Sequence, residues 1–315
     1  MSMKTSFALR GVEFKNRVLV ASGTFGYGDE VSDLVDAGLL GGVITKSLSM
    51  KPRDGNPPRR ITETACGMLN SIGLANIGVQ KFISDKLPYL RALDTTVLAN
   101  IAASSVQEYC DVLSALESEE GIDGYEINVS CPNVKEGGLT FGTDCRMTRE
   151  ITERLRPLTD KPLIIKLTPN VTHVSEFARA VAEAGADAVS LINTVVGMAV
   201  DIRTKKPKLS TVTGGLSGPA IKPIALAKVY EAAQSVKIPI IGIGGIASWE
   251  DAVEFLLVGA SAVQVGTQNY VNPASTLEIA KGIARYAEAQ GVSDVGAIVG
   301  TLNAKLEFSP MKSWL

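Results

Sequence analysis

Residues 182–193 read AEAGADAVSLIN, and residues 256–267 read LLVGASAVQVGT. Both phrases run from the end of a helical pattern through a glycine and a turn into a short, almost wholly apolar strand. Strands of this kind recur along the chain, at residues 17–21 (RVLVA), 42–45 (GVIT), 96–100 (TVLAN), 124–129 (GYEINV), 162–167 (PLIIKL), 188–193 (AVSLIN), 239–243 (PIIGI) and 262–266 (AVQVG). Near-continuous apolar runs are what parallel strands buried on both faces require. Helix-patterned segments at 29–37, 106–116, 173–184, 221–235, 249–258 and 274–289 separate them. Several start behind a capping candidate, such as Ser248 before WEDAVEFLL. Eight such strands with intervening helices predict an α/β fold of the (β/α)8 TIM barrel type. An open doubly wound sheet is the competing architecture. It is disfavoured because the Gly-rich signals fall late in the chain and not after the first strand.

Two inserts interrupt the repeat, at 47–72 and 195–218, and a third segment, 130–143, follows the fourth strand. All three leave strand C-termini, the end at which barrels carry their active sites. No composition break divides the chain, so residues 1–302 read as one barrel domain and residues 303–315 as a tail that fits no barrel element.

The 315 residues are 45% hydrophobic and 20% charged, with a formal charge of −2. No basic field exists to attract a phosphate backbone, which argues against nucleic acid as a partner. Aromatics at 5% alongside 30 glycines suit a repetitive α/β enzyme better than an aromatic-faced binding module. The four cysteines, Cys66, Cys110, Cys131 and Cys145, form no CxxC pair, so a zinc or iron–sulfur site built from this chain alone is not expected. The N-terminal stretch lacks a long apolar signal region and no segment is long enough to span a bilayer, so a cytoplasmic location with reduced thiols is expected.

Chemistry concentrates at a few positions. Cys131 stands in Asn128-Val129-Ser130-Cys131-Pro132-Asn133, where Pro132 ends the fourth strand and places the thiol at the barrel mouth. A buried structural thiol is the bland alternative; the placement favours an acid–base or nucleophilic role. Cys66, Cys110 and Cys145 read as structural. The single histidine, His173, opens a helix and reads as a surface or capping residue, which weakens hydrolase mechanisms that need an imidazole. Lys46 follows GGVIT and Lys166 sits inside LIIKLTPN. An unpaired ammonium is costly to bury, so each must either meet a carboxylate or face a bound anion, and two in one barrel favour the anion. Gly242-Ile243-Gly244-Gly245-Ile246 follows the seventh strand and Gly266-Thr267 the eighth, the positions at which barrels build phosphate sites from bare backbone amides. A phosphate-bearing ligand beside a strand-borne lysine suggests flavin mononucleotide, FMN, with the lysine stabilising the anionic reduced ring.

Taken together, NVSCPN, TKSLS, NSIGLAN and IGIGGI resemble the dihydroorotate dehydrogenases of class 1, from ASGTFGYG at residues 21–28 to VGT at 265–267. Lys135-Glu136-Gly137-Gly138 after the cysteine motif resembles class 1B, the NAD-linked branch and its catalytic FMN subunit. The resemblance implies oxidation of (S)-dihydroorotate to orotate in pyrimidine biosynthesis, with Cys131 as the catalytic base. It implies substrate contacts at Lys46, Asn70, Ser71, Ile72, Gly73, Leu74, Asn128, Asn133, Asn193 and Thr194. It implies FMN contacts at Ser22, Lys46, Ser47, Asn100, Asn128, Lys166, Ile192, Gly218, Gly244, Gly245, Gly266 and Thr267. It further implies a partner subunit carrying FAD and a [2Fe–2S] cluster, in a heterotetramer built around a dimer of this chain. Two other enzymes fit the same barrel: a dihydropyrimidine dehydrogenase-like reductase, and a phosphosugar aldolase or isomerase with Lys166 as Schiff base.

Overall fold

The computed structural model describes residues 3–130 and 141–304. Eight parallel strands close into a barrel: β1 (Val18–Val20), β2 (Gly42–Ile44), β3 (Val97–Ile101), β4 (Gly124–Asn128), β5 (Leu163–Lys166), β6 (Ala188–Leu191), β7 (Ile240–Ile243) and β8 (Ala262–Val265). Their order around the barrel follows the chain, and β8 closes on β1 through Gln264 opposite Leu19. Each sequence-predicted strand is present, most a residue or two shorter at their ends, and the third shifted by one residue, from 96–100 to Val97–Ile101. Apart from Asn128, every residue of these strands is buried, because helices cover the outside while the interior fills with side chains.

The helices Val106–Glu117, Val174–Glu183, Lys222–Ala233, Trp249–Leu257 and Ser275–Ala289 fall where the 3.6-residue pattern expects them. Ser248 caps the fourth of these in a reciprocal box, its hydroxyl taking the Asp251 amide while the Asp251 carboxylate takes the Ser248 amide. The segment 29–37 differs. In place of one helix it forms two single 3-10 turns, Asp29–Val31 and Ala37–Leu39. Three of its four carboxylates are engaged in other contacts: Glu30 accepts from the Tyr27 amide, Asp29 pairs with Lys86 at 2.6 Å, and Asp36 accepts from the Gly38 amide. Such side chains offer the backbone an alternative to the helical ladder.

Two features lie at opposite ends of the barrel. An N-terminal hairpin, Phe7–Leu9 with Val12–Phe14, stacks Phe7 on Phe14 at 4.4 Å and packs on Leu19, Ile44, Leu98, Ile164 and Ile241 inside the strands. At the strand C-termini the two inserts meet. Ile61–Thr64 and Gly67–Asn70 from the first join Val195–Met198 and Thr213–Ser217 from the second in one four-stranded antiparallel sheet. The seam between them sets Asn70 opposite Gly215 and Leu69 opposite Leu216.

Candidate active site

A cavity of about 1150 Å³ opens between the strand C-termini and this inserted sheet. That volume exceeds the roughly 300–1,000 Å³ of an ordinary ligand pocket, so it can hold two small molecules together. Because side chains alternate along a strand, the inward rows run Ile164, Lys166, Thr168 on β5 and beyond, Ala188, Ser190, Ile192 along β6, and Ala262, Gln264, Gly266 along β8. The third members of these rows, Thr168, Ile192 and Gly266, line the cavity, as do Lys166 and, from β4, Asn128.

One end of the cavity is built from bare backbone. Gly244 and Gly245 have φ of +127° and +75°, a region that L side chains rarely enter. A Cβ on Gly245 would lie 2.8 Å from the Lys222 amide nitrogen, so only glycine lets this loop lie against the start of the Lys222–Ala233 helix. Among the described residues the amides of Gly245, Ile246 and Thr267 take no backbone carbonyl. Gly218 and Ser22 also line the cavity. The Thr267 hydroxyl donates to Ser217 at 2.8 Å, which ties the loop after β8 to the inserted sheet. Unpaired amides from two adjoining glycine loops form a donor set for an anion such as a phosphate.

The other end gathers cations and amides. Lys46 and Ser47, just past β2, line it together with Asn70, Ser71, Ile72, Gly73 and Leu74. Burial, reinforced by the Arg60 guanidinium, holds Lys46 below the ordinary lysine value. Gly73 and Leu74 turn the chain with φ of +76° and +57°, and their amides take no backbone acceptor among the described residues. Asn193 donates to Asn128 Oδ1 at 3.1 Å and accepts from the Thr194 amide at 2.8 Å. Asn170, absent from the sequence prediction, fixes the same strand end by donating to the Thr194 carbonyl and accepting from the Val196 amide. Positive charge, unpaired amides and oriented carboxamides suit a small, planar, anionic heterocycle.

Asn100 is placed differently from the other expected contacts. It is fully buried beneath the cavity, accepting from Ser47 Oγ at 2.6 Å and donating to Glu126 at 2.7 Å. Glu126 itself was not singled out in the sequence, although a carboxylate inside an apolar strand is as anomalous as Lys166. It pairs with Lys166 at 3.3 Å, so that lysine meets a carboxylate and lines the cavity at once. Cys131 and Asn133 lie outside the described residues. Cys66 was expected to be structural, but it is exposed and lines the cavity at the turn between two inserted strands; Cys110 is buried. Thr24, Thr213 and Tyr270 also line the cavity unforeseen. Among the described residues no cluster of histidine, cysteine and carboxylate side chains could hold a metal, and no helix is long and apolar enough to cross a membrane.

The chain matches the family model described as dihydroorotate dehydrogenase over residues 4–286. It is 50% identical over 297 residues to dihydroorotate dehydrogenase B (NAD(+)), catalytic subunit, of Geotalea uraniireducens (strain Rf4), covering 94% of this chain and 97% of the relative. Against the protein of the same name from Pelobacter propionicus (strain DSM 2379 / NBRC 103807 / OttBd1) it is 51% identical over 294 residues, covering 93% and 97%. Against that from Thermoanaerobacter sp. (strain X514) it is 49% identical over 300 residues, covering 95% and 99%. A barrel with these loops at its mouth, matched across nearly its whole length, identifies the chain as a member of the dihydroorotate dehydrogenase family.

Proposed function

We propose that this chain is the catalytic subunit of an NAD-linked, class 1B dihydroorotate dehydrogenase, oxidising (S)-dihydroorotate to orotate in pyrimidine biosynthesis. The observation that carries this reading is a single cavity with a glycine-amide donor set at one end and a cation-and-carboxamide set at the other. The first set fits the phosphate of FMN, the second a pyrimidine carboxylate, and Lys166 on the wall fits the flavin ring. When bound, FMN supplies the acceptor for the hydride that leaves C6 of dihydroorotate. The chain's own residues do the rest. Lys46 and the amides of Gly73 and Leu74 receive the substrate carboxylate, while Asn70, Asn128, Asn133, Asn193 and Thr194 hold the ring edges with matched donors and acceptors. Cys131 takes the proton from C5, the task its position after β4 suits. Gly244, Gly245, Gly266 and Thr267 hold the phosphate, and Ser22, Ser47, Ile192 and Gly218 complete the FMN site, with Asn100 beneath them fixing the Ser47 hydroxyl.

The relatives' shared name supports a separate electron-transfer subunit. We assign FAD and a [2Fe–2S] cluster to that partner, because cysteines scattered as they are here do not supply a four-ligand set. Cofactor extraction from the purified chain tests the reading: FMN near one per chain is expected, bleached anaerobically by dihydroorotate and not by dihydrouracil. Stoichiometric FAD, acid-labile sulfide from this chain, or bleaching by dihydrouracil alone would overturn it.

A further inference from the structure

Beneath the cavity floor lies a layer of polar side chains that no catalytic step uses. Glu126, fully buried in β4, sits at its centre. Its Oε1 accepts from Asn100 Nδ2 at 2.7 Å and from Lys166 Nζ at 3.3 Å. Its Oε2 accepts from Ser190 Oγ at 2.8 Å and from Gln264 Nε2 at 2.6 Å. Four strands thus converge on one carboxylate, from β3, β5, β6 and β8. An ionised carboxylate has about four acceptor positions, and all are taken. Gln264 donates its nitrogen and leaves its own oxygen buried without a partner. That is the orientation an anion demands. A neutral carboxyl would have a hydrogen to donate, and the bare Gln264 oxygen would be its natural acceptor.

Of these residues only Lys166 reaches the cavity lining; Glu126, Ser190 and Gln264 lie wholly beneath it. We infer that Glu126 is a positioning residue that sets the net charge Lys166 presents to the cavity, and through it the reduction potential of the bound flavin. This rests on the FMN reading above. A lone buried ammonium facing the ring would favour the anionic reduced flavin strongly and hold its electrons. A carboxylate at 3.3 Å offsets that field and leaves the flavin able to pass electrons on. The neutral donors Ser190, Gln264 and Asn100 fix the carboxylate and dilute its charge, so the layer works as a graded counter-charge.

The test is the two-electron midpoint potential of the FMN-loaded chain, measured by spectroelectrochemistry. Glu126→Gln keeps the volume, and its new N–H groups can donate to the Gln264 oxygen. The ratio of affinities for reduced over oxidised FMN should rise about tenfold or more, an upward shift of about 30 mV per tenfold. Lys166→Met should shift the potential the other way. If Glu126→Gln fails to retain FMN, Ser190→Ala replaces it as the probe. Removing one neutral donor leaves the carboxylate less shielded, and a few-fold shift in favour of oxidised FMN is expected. Full FMN occupancy in Glu126→Gln with an unchanged or lowered potential overturns the inference, as does an unmoved potential in Ser190→Ala. A wild-type chain without flavin would instead refute the FMN reading itself.

Discussion

Two neighbouring layers of one barrel interior are made of opposite materials. Leu98, Ile164, Ala188 and Ala262, with Leu19, Ile44 and Ile241 beside them and Phe7 and Phe14 as a seal, form an apolar layer, whereas two residues further along β3, β5, β6 and β8 stand Asn100, Lys166, Ser190 and Gln264, gathered around Glu126 of β4. Both layers are buried, yet the first returns its burial as stability and the second spends hydrogen bonds on holding charge in place. The contrast teaches that depth does not divide structure from function in this barrel. Position along the strand does, with the chemistry beginning one residue pair beyond the hydrophobic plug.

Mutation can separate the two layers from either side. Phe14→Ala, at a fully buried position stacked on Phe7, should lose about 3–5 kcal/mol of stability in denaturant unfolding. The folded fraction should still bind FMN and be reduced by dihydroorotate at the wild-type rate. A slowed reduction would mean that the plug and the site are one unit. Cys131→Ser should do the reverse, leaving the unfolding midpoint in place while slowing anaerobic flavin reduction by roughly 10²-fold or more, the scale of a lost general base. Stopped-flow reduction at the wild-type rate would send the search for the base elsewhere in residues 130–143.

Smaller effects sharpen the contrast. Lys46→Ala should weaken orotate binding by about tenfold or more, since a charge-assisted hydrogen bond in a shielded site contributes on the order of 1.5–3 kcal/mol; spectral titration of the bound flavin reads it. The same titration across pH should show orotate affinity falling on the alkaline side. Lys46 holds its proton less tightly than an ordinary lysine at 10.5, because burial and Arg60 disfavour the charged form. An anionic ligand needs that proton, so affinity is full below the lowered pKa and is lost as pH rises through it. In Lys46→Ala this alkaline limb should vanish. Smallest of all, Ser248→Ala removes one half of a capping box and should lower stability by about 1 kcal/mol with no change in the flavin potential.

The barrel was legible in the sequence because its strands are buried on both faces, and continuous apolar runs such as LIIKL and AVQVG leave little else to be. The glycine loops after β7 and β8 were legible for a related reason, since bare backbone beside a strand end is unusual. What escaped was whatever depends on pairing between distant segments. Residues 61–70 and 195–217 carry weak strand patterns, and nothing local shows that Asn70 will face Gly215. The helix expected over 29–37 failed for a similar reason, its carboxylates being drawn to Lys86, Tyr27 and Gly38. Glu126 could have been found. A charge inside an apolar strand requires a partner, and that holds for Glu126 on β4 as it does for Lys166 one strand later.

The seam that joins the two inserts also sets a timetable. Asn70 and Gly215 are 145 residues apart, so a ribosome adding about 5–20 residues per second leaves the first half of the cavity wall without its partner for roughly 7–30 s. During that interval the strand Gly67–Asn70 has one neighbour, Ile61–Thr64, and an open edge on the side that Thr213–Ser217 will later occupy. Unpaired edges are where nascent chains meet one another. For this enzyme, the wall that encloses the active site is therefore also a part of the chain left open to misassembly during synthesis.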